Sequence, residues 1–171
     1  HADYGFTLQS MSKPFVYGMS LDRFGRDAVH RKVNVEPTGE AFNSITELEE
    51  DHLPYNPMIN SGAITMSAML HHADPEHGCD AMMEMFGRYL GREAELHPKL
   101  DLTARPHRNL AIGHLLRHFD VIGDDIEGAL DLYGRQCGVA VSTCDQAMMA
   151  ATLAGGGVHP RTGERALQRR H

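Results

Sequence analysis

Ser10 and Lys13 stand three residues apart, directly ahead of the apolar run Phe15-Val16-Tyr17-Gly18-Met19. If a helix begins here, positions i and i+3 share a face, and the lysine amine lies near the serine hydroxyl. A serine hydroxyl is a poor nucleophile at neutral pH until a base or a nearby cation helps remove its proton. A Ser-x-x-Lys pair supplies both parts within one turn. The same residues also describe an ordinary helix start, with Ser10 or Ser12 as cap and Lys13 in solvent. The spacing alone does not choose between them, because a motif is a hypothesis until its context confirms it.

Other residue types admit other chemistry. Twelve histidines raise a metal alternative. His114 and His118 are spaced i, i+4 on an expected helix, which can place two imidazoles on one metal. Leu115 stands where a His-Glu-x-x-His motif has its glutamate, and no third ligand is evident, so we expect solvated histidines and neither metal nor cofactor. His71, His72 and His77 flank a turn and read as surface. Cys137 lies on an apolar stripe without a nearby histidine or basic pair and reads as a small buried hydrophobe. Gly155-Gly156-Gly157 lacks the Lys-Ser/Thr that follows a phosphate-cradling loop. Asn60, at a helix start, either caps that helix or aims its amide into a pocket. Tyr133, on an inward helix face, is either core or the second hydroxyl that a serine hydrolase of this type needs for proton relay.

The elements that must position these groups are mostly helical. Residues 1–9 read as the end of a strand, with Tyr4, Phe6 and Leu8 on one side. A helix carrying Lys13 runs to about Arg23 and ends near Gly25, with Pro14 tolerated in its first turn. Residues 34–60 are rich in Asn, Pro and Gly, but Val33, Val35, Phe42 and Ile45 punctuate them, which predicts a structured loop. Next comes a helix from Asn60 to about His72, with Ser61, Gly62 and Ala63 permitting close backbone approach. Ala81, Met82, Met85, Phe86, Tyr89 and Leu90 form a helical stripe closed by Gly91. A helix to about Phe119 turns Leu110, Leu115 and Phe119 inward. Gly123-Asp124-Asp125 opens another, whose stripe is Ile126, Ala129, Leu130, Tyr133 and Cys137. Ser142 to Asp145 resembles a capping box. The following helix, Gln146 to Leu153, reads as buried along Ala147, Met148, Ala150, Ala151 and Leu153.

Composition sets the bounds. A chain of 171 residues holds one domain with a real core. A formal charge of −7 argues against a nucleic-acid surface. No apolar run approaches the roughly 18–20 residues of a membrane span. The three cysteines form no disulfide framework, and their odd number points to reduced thiols in a cytoplasmic compartment. Ten methionines without any tryptophan suggest a core that uses Met to fill irregular gaps.

Taken in chain order, several longer stretches resemble the serine-dependent glutaminase family, whose catalytic domain has the β-lactamase/penicillin-binding-protein fold. They are Leu8 to Lys13, Glu36-Pro37-Thr38-Gly39 with Phe42-Asn43-Ser44, Asn56 to Ile64, Arg108 to Ile112, Leu132 to Cys137, and Met149 to Val158 with Pro160 and Thr162 to Arg165. The resemblance covers almost the whole chain. It implies a mostly α portion of an α/β (α+β) domain, with residues 1–171 forming a partial catalytic domain from which most of the sheet is missing. It implies L-glutamine as substrate, Ser10 as nucleophile, Lys13 as the group that eases its deprotonation, and Tyr133 against both. Asn60 and Asn109 would hold the α-amino and α-carboxylate end, with Gln9 lining the same pocket. The reaction implied is hydrolysis to L-glutamate and ammonia through a glutamyl-serine ester. A homo-oligomer, dimer or tetramer, is expected of the complete protein, with no nucleic-acid or membrane partner.

The sequence departs from the family in places. Leu102 stands where the family has a glutamate seven residues before the Asn109 position, with Asp101 adjacent. Ser61 replaces an alanine, and Gly155 an asparagine. The family also continues with a second pocket tyrosine and a Lys-Ser-Gly-Val strand that completes the oxyanion hole, and it has strands ahead of the nucleophile. The expectation is therefore of little activity from these 171 residues alone. A non-catalytic binding module, for which Leu102 is the pointer, and a penicillin-binding or β-lactamase relative are the alternatives.

Overall fold

The computed structural model describes residues 1–39, 41–43, 52–101 and 106–169. Of the N-terminal segment only Phe6–Thr7 forms a strand, β1, and Tyr4 is exposed instead of extending the alternation. β1 pairs antiparallel with β2, Ala140–Val141, placing Phe6 opposite Val141 and Thr7 opposite Ala140. On the other edge of β2, His97 N–H donates to the Gly138 carbonyl and Ala140 N–H to that of Glu95. The sheet is thus a small clip joining three distant segments.

A 3-10 turn, Gln9–Ser12, leads directly into α1, Lys13–Phe24, which ends at Gly25. Ser12 occupies its N-cap position but makes no side-chain capping bond. A short helix, α2 (Arg26–His30), follows at once. The sequence reading missed it because five residues carry too little periodicity to register. The remaining helices among the described residues are α3 (Asn60–Ala73), α4 (Gly78–Leu90), α5 (His107–His118), α6 (Ile126–Cys137) and α7 (Thr143–Ala154).

Helix α3 is the axis of the molecule, buried without interruption from Asn60 to Ala68. Its Met66 and Leu70 join a core with Phe15, Val16, Met82, Phe86 and Tyr89. Its Ala63, Ile64 and Ala68 join a second core with Ile112, Leu116, Leu130 and Tyr133. Four methionines (Met66, Met82, Met85 and Met149) are fully buried, as gap-filling residues should be. Gly62 shows why α3 starts where it does. A Cβ there would collide with the Asn56 carbonyl oxygen, so only glycine lets the preceding loop fold back onto the first turn.

Two helix faces differ from expectation. On α5 the buried residues are Ile112, Gly113 and Leu116, while Leu110 and Phe119 sit at the margin of the second core. Gly113 lies against the Ile126 side chain, so close approach to α6 turns the 112–116 face inward. On α7 only Met149 and Thr152 are buried. Ala147, Ala150 and Ala151 are exposed, because no described residue packs over that side.

Candidate functional site

The loop before α3 is ordered by its own backbone. Asn34 N–H donates to the Pro54 carbonyl and Glu36 N–H to that of Tyr55. The Asn56 carboxamide donates to the Glu36 carbonyl at 2.8 Å and accepts from the Met58 and Ile59 amides at 3.0 and 3.2 Å. This fixes Met58 and delivers Asn60 as the first residue of α3. Ser44 and Ile45 lie outside the described residues.

Lys13 is not the solvated side chain of an ordinary helix start. It is 3% exposed, not in solvent. Its amine donates to the Met58 carbonyl and to Asn60 Oδ1, each at 2.8 Å. Burial lowers its pKa from the ordinary 10.5 to about 8, with the Cys137 thiol acting the other way. A useful fraction of neutral amine is therefore present near neutrality.

Asn60 is not a cap. Ile59 holds that position, and Asn60 turns its side chain inward. Its Oδ1 accepts from Lys13 and from the Tyr133 hydroxyl, the latter at 3.3 Å. Its Nδ2 donates to Asn109 Oδ1 at 3.2 Å. Tyr133 is buried on α6 and also hydrogen-bonds Ser10. Burial foremost, and then Cys137, raises its phenol well above the ordinary value, so at neutral pH it is a proton donor and not a phenolate.

Ser10 is exposed within the 3-10 turn, at the lip of a cavity of about 310 Å³. Gln9, Ser10, Asn60, Asn109 and Tyr133 all line this cavity. Gln9 has left-handed backbone, φ +54, which costs a residue with a side chain about 1–2 kcal/mol. Its amide is drawn back to Thr7 Oγ1 at 2.7 Å. The chain thus turns sharply between β1 and Ser10, and strain of this kind gathers at functional sites. Four separate segments (the 3-10 turn with Lys13, α3, α5 and α6) converge here. Leu102 lies outside the described residues; its neighbour Asp101 is exposed and lines the cavity.

Two cavity residues were given no site role by the sequence: Phe42, expected only as an apolar point of the loop, and Cys137, expected only as core. Phe42 is 58% exposed, with its ring 5.4 Å from the Lys13 amine, and its carbonyl accepts from Asn60 N–H. A long loop gives no periodic signal for such a contact. Cys137 does have a basic neighbour, correcting the reading of an isolated hydrophobe: it interacts with Ser12 and Tyr133, and the charge of Lys13 acts on it. Its spacing of i+4 from Tyr133 was the available signal. Burial raises this thiol above its ordinary pKa, so it rests protonated. His114 and His118 are both exposed. Among the described residues no three His, Cys, Asp or Glu side chains gather as a metal site would need. His71 is half-buried and bonds Asp125 at 2.7 Å, so it is not plain surface. No helix of the described residues is long and apolar enough to cross a membrane.

The model of the glutaminase family matches residues 1–171. A glutaminase of Trichormus variabilis is 46% identical over 168 residues, 97% of this chain and 50% of the relative. A glutaminase of Corynebacterium glutamicum is 41% identical over 172 residues, 98% of this chain and 41% of the relative. Among solved structures, a Bacillus glutaminase superposes with a TM-score of 0.90 at 31% identity, covering 99% of this chain and 58% of the other. Another, Mglu, gives 0.89 at 39% identity, covering 99% and 42%. The chain spans about half the length of the cyanobacterial relatives it matches.

Proposed function

This chain belongs to the glutaminase family, and from that premise we propose that it carries the nucleophile side of a site that hydrolyses L-glutamine to L-glutamate and ammonia. Ser10 Oγ attacks the side-chain amide carbon. Its proton passes toward the neutral Lys13 amine, with the Tyr133 hydroxyl bridging Ser10 and Asn60. The C–N bond then breaks, ammonia leaves carrying a proton from this relay, and a glutamyl-serine ester remains. Water attacks the ester, returns a proton to Ser10 and releases glutamate. Asn60 and Asn109 hold the amino-acid end of the substrate, with Gln9 at the rim. Holding both ends orients the amide for attack, which supplies much of the rate.

The observation that carries this reading is the shared Asn60 Oδ1. It accepts from Lys13 Nζ at 2.8 Å and from the Tyr133 hydroxyl at 3.3 Å. A candidate base and a candidate relay thus meet at one amide beside Ser10. We read residues 1–171 as part of a catalytic domain whose remaining strands lie in a longer polypeptide, and we place that protein in the cytoplasm as a homo-oligomer.

The test is ammonia release from glutamine by the full-length protein and by its Ser10→Ala variant. Activity in the first and none in the second is expected. A folded full-length protein that binds glutamine and releases no ammonia would replace this reading with the binding module.

A further inference from the structure

We propose that Gln136 is a positioning residue for the nucleophile: its buried carboxamide holds the turn bearing Ser10 against the helices bearing Asn60 and Tyr133. This rests on the glutamine-hydrolysis reading above. Gln136 Nε2 donates to Ser12 Oγ at 3.0 Å, and its Oε1 accepts from Ser67 Oγ at 3.0 Å. All three residues are 0% exposed. A buried carboxamide is costly unless both its ends are bonded. Here the two ends face partners on two different elements.

Ser12 supplies an independent sign. It stands at the N-cap position of α1, where serine ordinarily bonds the first turn. Its backbone is already helical, φ −67 and ψ −26, and its side chain makes no capping bond. Its oxygen is given to Gln136 instead. Ser12 also contacts the Cys137 thiol, which contacts Tyr133, which contacts Ser10. One amide therefore reaches each element that presents a candidate catalytic group. The turn carries Ser10 and runs into Lys13. Ser67 lies on α3, two turns beyond Asn60, and Gln136 itself lies one turn beyond Tyr133 on α6. Without this brace the turn can shift against the two helices, and a misplacement of about 1 Å can cost about 10²-fold in rate.

The experiment compares glutamine turnover by the full-length protein with its Gln136→Met, Ser12→Ala and doubly substituted forms, each held at a temperature where circular dichroism shows it folded. We expect kcat to fall about 10- to 100-fold with KM within about threefold, because the nucleophile moves while Asn60 and Asn109 remain. The double variant should lose no more than the worse single one, since both substitutions break one brace. Gln136→Glu should approach wild-type activity, as a ratio at each pH, as pH falls, because a protonated carboxyl offers one donor and one acceptor like the amide. Ser12→Ala, the smaller change, gives the reading should Gln136→Met not fold. A lowered melting temperature with unchanged kcat in both single variants, or losses that multiply, overturns the proposal while leaving glutamine hydrolysis intact. A wild-type protein that releases no ammonia, or a Ser10→Ala form that still does, overturns both.

Discussion

At the residue scale, the buried amine of Lys13 makes the sharpest claim. A base whose folded pKa is lowered to about 8 is mostly protonated below that pH and mostly neutral above it. If the neutral amine takes the Ser10 proton, kcat/KM should climb with pH and level off above about 8. Lys13→Arg, which stays charged throughout, should lose about 10²–10⁴-fold, the usual share of general acid–base catalysis. A pH–rate profile of the wild type and activity of the variant check this. Ser61 makes a quieter claim. Its hydroxyl is buried without a hydrogen-bond partner among the described residues. Ser61→Ala should therefore raise stability by about 1 kcal/mol without changing turnover, as measured by urea unfolding. Little of this was readable from residue types. Spacing suggested that Ser10 and Lys13 share a turn, but not that Lys13 is buried. Burial depends on Met58 and Asn60, which are distant in sequence. Spacing and helix position raised Ser10, Asn60 and Tyr133 as open alternatives, whereas Gln9 and Asn109 came from the family resemblance alone.

Elements were more legible, because their ends are decided locally. The Ser142–Asp145 capping box is present in both directions, and Asp125 caps α6 through the Gly128 amide. For Asp145, burial alone would raise the carboxyl pKa, but Arg92 and Ser142 hold it below the ordinary value. For Asp125, the Gly128 N–H and then His71 lower it. A carboxylate with a depressed folded pKa adds stability above its unfolded pKa and loses it as pH falls through the folded one. Asp125→Ala should therefore cost about 1 kcal/mol at neutral pH, and the difference from wild type should shrink as acid protonates the cap. Unfolding titrations at neutral and acid pH measure it. What sequence periodicity could not show is which apolar face is covered. The alanines of α7 carry a buried-looking pattern, yet they are exposed. A pattern states what a face can bury; a neighbouring element decides whether it is buried.

At the scale of the whole molecule, Ala150 on the bare side of α7 borders the turn that bears Ser10. Met11, Phe15, Met149, Ala150 and Leu153 line an apolar groove between the turn bearing Ser10 and α7. On the reading of a longer catalytic domain, the 171-residue chain alone should release ammonia at least about 10²-fold more slowly than the full-length protein, the scale of losing one oxyanion donor. Equal turnover by the two would refute the partial-domain reading. The bond between Asn60 and Asn109, 3.2 Å across the cavity, has a separate consequence for binding. If these two carboxamides hold the substrate, as proposed, each is already engaged by the other. Binding is then an exchange, in which a newcomer must replace the bond it displaces and supply more besides. Molecules that present only an apolar surface meet a threshold there, so the Asn60–Asn109 bond itself would contribute to selectivity.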